Sequence, residues 1–223
     1  MDRTLRIMVF TASFFLLISS IFTGGYIWAA DGKVITVRNG NLELWTGTVW
    51  EKIGAGSPVS LGDRVRTDKT AVAVIKLSGI GSFTIGPDTE MEMGKDKKEF
   101  KAGLNRGSAW LNSKLPKGSR AYISTSLATA GIRGTKFSVI LYEKGMDICT
   151  CTGEVEVILK DGKTMQSPTG RFVSLKDGEA PPDKAQSSLM MLKRVEEGKN
   201  KRYDFCFNCH IAGGKGEIKR DWE

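Results

Sequence analysis

The chain has one histidine, His210, so no Ser/His/Asp constellation can be assembled beyond it. No glycine-rich loop of the phosphate-cradling kind is present, and the carboxylates are scattered along the chain as surface residues. An enzyme is therefore not expected. Prolines number only six against 26 glycines, which argues for frequent tight turns between short strands rather than for a disordered chain. Acidic residues are outnumbered by basic ones, 25 to 33, for a formal charge of +8. Much of that excess lies in one stretch with Lys95, Lys97, Lys98, Lys101, Arg106, Lys114, Lys117 and Arg120, opposed by Asp96 and Glu99. Such a stretch is either a solvated basic face or a surface that attracts anionic lipid or polymer. No nucleic-acid recognition motif accompanies it, and nucleic acid is not an expected partner.

What is present begins with an export segment. Arg3 and Arg6 precede a mostly apolar run, residues 7–27, that ends in Trp28-Ala29-Ala30. At about 20 residues the run is long enough to span a bilayer, so residues 1–30 read either as a cleaved signal peptide or as a retained membrane anchor. In both cases the positive-inside rule puts the rest of the chain outside the inner membrane, in the periplasm or beyond.

From there the pattern is of short alternating runs. Residues 34–38, 42–45 and 49–53 read as strands of a meander, separated by the hairpin-type turns Asn39-Gly40-Asn41 and Thr46-Gly47-Thr48. Residues 71–77 are apolar except for Lys76 and read as a strand buried on both faces. Residues 82–85 and 89–93 continue the series, with Met91 and Met93 as core filler on one face and Glu90 and Glu92 on the other. Residues 108–112, with Trp110 packed inward, and 121–125 follow. Turn signals every 8 to 12 residues or so belong to a sandwich or a solenoid of short strands.

The stretch that organises the chain is residues 126–159. It holds two runs with apolar residues at every second position, 136–142 and 154–159, the pattern of half-buried strands. Gly131 and Gly134 bracket Ile132-Arg133 ahead of the first run, where a tight turn calls for residues that tolerate positive φ. Arg133 is then either simply exposed or a contact for a partner. Here the sequence resembles the FecR-type extracytoplasmic domain. Ala130-Gly131-Ile132-Arg133-Gly134-Thr135-Lys136-Phe137-Ser138-Val139 matches its A-x-x-G-T-x-F-x-V stretch, and Gly153-Glu154-Val155-Glu156-Val157 matches the end of the strand pair that follows. The likeness covers roughly residues 55 to 175, through Leu61-Gly62-Asp63-Arg64-Val65-Arg66-Thr67 upstream. It implies an all-β domain of short strands, solenoid-like or two-layered, that acts as a binding, sensing or scaffold module of the cell envelope with an envelope protein as partner. FecR-type regulators join this domain to a cytoplasmic segment that binds a sigma factor. Here Met1–Arg6 is all that would face the cytoplasm, so sigma-factor control is not carried over to this chain.

The β-domain is expected over residues 31–178. Beyond it, 179–223 is expected to hold an amphipathic helix, 184–197, capped by Asp183 and carrying Leu189, Leu192 and Val195 at helical spacing, and then a tail. The tail holds Cys206-Phe207-Asn208-Cys209-His210, the C-x-x-C-H signal for covalent haem c in exported proteins: two thiols for the vinyl groups and an imidazole for the iron. Cys149 and Cys151, two apart in an extended segment, project to one side. Three readings of the four cysteines stay open. One is haem on Cys206, Cys209 and His210. Another is a zinc site of Cys149, Cys151, Cys206 and Cys209. The third is disulfides between the two pairs, since a ring within Cys149-Cys151 would be strained.

Overall fold

The computed structural model describes residues 30–132 and 134–187. These hold seventeen strands and no helix. The first eight are β1 (Gly32–Arg38), β2 (Leu42–Trp45), β3 (Trp50–Ile53), β4 (Pro58–Val59), β5 (Arg64–Thr67), β6 (Val72–Leu77), β7 (Gly81–Ile85) and β8 (Glu90–Glu92). A long strand, β9 (Glu99–Ser113), divides the chain. After it come β10 (Arg120–Ser124), β11 (Ala128–Ile132), β12 (Lys136–Tyr142), β13 (Gly145–Thr152), β14 (Glu154–Leu159), β15 (Thr164–Pro168), β16 (Arg171–Lys176) and β17 (Gln186–Ser187).

Pairing sorts them into two layers. Sheet A runs β4-β1-β6-β7-β9-β12-β13-β16-β17 and sheet B runs β3-β2-β5-β8-β9-β10-β11-β14-β15. Strand β9 belongs to both. Its residues 99–106 pair with β8 and, in parallel, with β10 in sheet B, while 107–113 pair with β7 and β12 in sheet A. The strand changes layer at Gly107, whose φ of 82° is open to glycine, and a Cβ there would lie 2.5 Å from the Cα of Thr89. The crossing is sealed by buried hydroxyls: Thr89 Oγ1 accepts from the Ser108 amide at 2.9 Å, and Thr67 Oγ1 accepts from the Thr89 amide at 2.9 Å. After β9 the hairpins β10–β11, β12–β13 and β14–β15 are laid alternately on the two sheets, and β16 follows on sheet A. The all-β, two-layer expectation holds.

The core lies between the layers. Phe83, Phe137, Ile148 and Val173 from sheet A meet Met91, Phe100, Ile123 and Val157 from sheet B, all with essentially no exposure, and the Phe83 and Phe100 rings meet at a tilt of 49° with centroids 5.5 Å apart. Met91 and Met93 are core filler, as expected.

Several expectations are corrected. Residues 34–53 are not a simple meander: β2 and β3 form a hairpin, but the Asn39-Gly40-Asn41 turn carries the chain from sheet A to sheet B. Asn39 has a φ of 61°, and the Asp68 carboxylate accepts from the Asn41 amide at 2.7 Å, holding the chain as it crosses the edge. Strand β6 is buried on one face only, with Val72 and Val74 half-buried. Strand β12, expected to be half-buried, is buried at every position from Phe137 to Leu141. Trp110 is buried, but on the side of sheet A turned away from the core cluster. The helix expected over 184–197 is not formed at its start, where Gln186 and Ser187 pair instead with Phe172 and Arg171 as an edge strand. The rest of that range, the export segment and Cys206, Cys209 and His210 lie outside the described residues.

Candidate functional site

The alternation of β10, β11 and β14 decides what sheet B shows to the outside. Ala121, Ile123, Ala130, Ile132, Val155 and Val157 point into the core, so the residues between them face out. Register then lines up Lys101, Tyr122, Gly131, Glu156 and Gln166 in one row across five strands. At the centre of the row stands Gly131, which lacks a side chain to fill it. Its φ is not positive, contrary to the turn role expected of it. The constraint is steric: a Cβ there would lie 2.9 Å from the Tyr122 ring, which leans over the glycine.

The result is a cleft of about 410 Å³ walled by Arg120, Tyr122, Gly131, Ile132, Thr135, Gly153, Glu154, Glu156 and Gln166. Both halves of the central sequence motif meet in it. Gly153, with a φ of 81°, packs so closely on Thr135 that a Cβ would lie 2.5 Å from its methyl group. Thr135 is 3% exposed, and its hydroxyl has no hydrogen-bond partner among the described residues. Gly134 beside it has a φ of 69°, as the turn requires, with open space where a side chain would stand. The Arg120 guanidinium is held still more firmly protonated by its hydrogen bond to Tyr122 and by the carboxylates of Glu156 and Glu99.

Chemically the cleft offers donors from Arg120, Tyr122, Thr135 and Gln166 beside acceptors from Glu154 and Glu156. Those groups suit hydrogen bonding and ion pairing to a bound polar segment. Of these walls the sequence motif supplies Gly131, Ile132, Thr135, Gly153, Glu154 and Glu156, while Arg120, Tyr122 and Gln166 lie outside it. The alternation Arg120-Ala121-Tyr122 was a visible signal, but only the register to Gly131 gives it a place.

The remaining sequence-predicted groups fall elsewhere. Cys149 and Cys151 lie on β13 with no disulfide between them, Cys149 buried and Cys151 half-buried at a bulge opposite Lys136 and Phe137. Burial pushes the Cys151 thiol up to about 11, against the opposing pull of the Trp110 indole and the Lys136 charge. Among the described residues no three metal-ligating side chains cluster. The basic stretch is exposed but partly spent: Lys97 pairs with Asp31 at 2.6 Å, and Arg106 with Asp88 at 3.2 Å and Glu90 at 3.4 Å. A second surface feature is the pair Trp45 and Trp50, 5.3 Å apart, with the Arg66 guanidinium 4.4 Å above Trp50. Its arginines are already bonded to Glu43 and Glu90, so the ladder satisfies itself and reads as structural.

No curated protein matches the chain. Among solved structures, two crystal structures of candidate anti-sigma factors from Parabacteroides distasonis are similar in fold. One is 15% identical with a TM-score of 0.52, over 59% of this chain and 63% of its own length. The other is 14% identical with a TM-score of 0.51, over 63% of this chain and 74% of its own. Residues 63–156, which hold every wall of the cleft except Gln166, match the family described as FecR protein.

Proposed function

We propose that this chain is a non-enzymatic binding or sensing module of the cell envelope, whose FecR-like β-domain takes hold of a protein partner through the cleft between β10, β11 and β14. The observation that carries the reading is Thr135. A buried hydroxyl without a partner costs about 1–3 kcal/mol, and this one belongs to a residue in the wall of a cleft built from the family motif, where a small shift of the wall lets a bound chain satisfy it. The mixture of Arg120 with Glu154 and Glu156 suits a polar protein segment better than a polyanion, and this demotes the anionic-surface reading of the basic stretch. The candidate anti-sigma factors of similar fold agree with a signalling role, and residues 1–30, read as an export segment, support a position outside the inner membrane.

The test is capture from envelope extracts with the full chain and with the Arg120→Ala/Glu156→Ala variant. Loss of a captured protein at an unchanged unfolding midpoint supports the cleft as the contact surface. Equal capture by both forms, or no specific capture by either, removes it.

The C-x-x-C-H element supports a second reading, in which the module also carries one haem c. Cys206 and Cys209 would hold the macrocycle by thioether bonds and His210 would ligate the iron, and the donor set fits that group. Bound haem would supply one-electron redox chemistry. Chain matured with the cytochrome-assembly system should then show a Soret band and haem staining on a denaturing gel. Their absence would leave zinc or disulfides for the cysteines, separable by metal analysis and by mass spectrometry of unreduced protein.

A further inference from the structure

From β7 to β16, sheet A is buried on both sides. One side faces the core; the other carries a cross-strand row of Thr84, Trp110, Ser138, Cys149 and Phe172, from β7 to β16. None of the five is more than 4% exposed, and Ile140 and Asp147 in the next row are buried as deeply. Yet Trp110, Ile140, Cys149 and Phe172 stand outside the core cluster, because alternation turns them away from it. An outward sheet face that holds a fully buried tryptophan and phenylalanine is a covered face.

The covering chain can be identified from where the described residues end. Strand β17 adds to the free edge of β16, with Gln186 opposite Phe172, in register with the buried row. The chain therefore leaves sheet A at the end of that row, with residues 188–223 still to come, and the first of them include Leu189, Met190, Met191, Leu192 and Val195. The other chain end is less well placed: β1 is separated from β12 by β6, β7 and β9. We propose that the outer face of sheet A is the docking surface for the chain's own segment beyond Ser187, whose apolar residues Leu189, Leu192 and Val195 cover Trp110, Ile140, Cys149 and Phe172. The C-x-x-C-H element then hangs from a docked stem rather than from a free tether, on the same side of the domain as Cys149.

Cys149 is a built-in reporter of that contact. In the reduced full chain, alkylation mapped by peptide mass spectrometry should be slow at Cys149 and about tenfold faster in Leu189→Asp/Leu192→Asp, because the cover opens more often. The unmodified chain gives an independent reading: amide hydrogen exchange over residues 188–197 should be slowed well below the rate of an unstructured peptide. Three results would overturn the proposal: Cys149 as reactive in the native chain as in denaturant, a rate unmoved by the substitutions, or protection that depends on residues 2–30 or on protein concentration instead. If the substituted chain does not fold, the exchange rates of the unmodified chain decide.

Discussion

Strands β6 and β12 lie in the same sheet and have exchanged the roles their sequences suggest. Val72-Ala73-Val74-Ile75-Lys76-Leu77 is nearly all apolar yet buries one face, while Lys136-Phe137-Ser138-Val139-Ile140-Leu141-Tyr142 includes a serine and buries both. The difference is not in the strands. Their inner faces meet the same core, and what differs is whether the far side is buried. Composition reports the tolerance of a strand for burial; it does not report what is packed on it.

The comparison can be broken most directly by truncating one side chain from each strand. Phe137→Ala, with no exposure on the core side of β12, should lower stability by about 3–5 kcal/mol in denaturant unfolding, whereas Val74→Ala on the open side of β6 should cost less than about 1 kcal/mol. Similar costs would mean that the outer side of β6 is covered as well. Gly107→Ala tests the crossing that lets one strand serve both sheets: its positive φ and the close Thr89 backbone should together cost about 3 kcal/mol by the same measurement. Gly134→Ala sharpens the point, since its φ is similar but its surroundings are open. A loss of about 1 kcal/mol is expected there, and a value equal to that of Gly107 would show that sterics add nothing.

The smallest effect is electrostatic and belongs to Asp68, in the turn between β5 and β6, which also braces the turn before β2. Hydrogen bonds from the amides of Thr70, Asn41 and Ala71 hold Asp68 down to about 2, from an ordinary value of 3.8. A depressed carboxylate contributes stability above its unfolded value and loses it as pH falls through the folded one, so the unfolding midpoint should drop between about pH 4 and pH 2. Asp68→Ala should flatten that limb of the profile; an unchanged limb would assign it to Asp31 and Glu90, which are also depressed, by Lys97 and Arg64.

Much of this was legible beforehand, for reasons that are local. Period-two runs gave β2, β12 and β14 at their observed bounds, because alternation is a property of the strand itself. Glycines marked where the chain bends, since positive φ is a property of the residue. The bulk of the candidate site lay inside the recognised motif. What stayed hidden was relational. Arg120 and Tyr122 join the cleft only because β10 pairs with β11 in the register that sets Tyr122 beside Gly131, and Gly131 matters for a ring that leans on it from the next strand. Residues 184–187 have a sequence that suits the start of a helix, but the open edge of β16 offers backbone hydrogen bonds that a short helical turn cannot match.

The sequence by itself determined that the described domain is all-β, that its turns fall at glycines and asparagines, and that Ala130–Val139 and Gly153–Val157 belong to one motif. Tertiary structure alone decided whether a given turn makes a hairpin or a crossing, as at Asn39-Gly40-Asn41, and which side of each strand meets water. The physical reason is that a turn fixes the direction of one chain, whereas sheet membership and burial depend on free edges and faces supplied by residues far away in sequence.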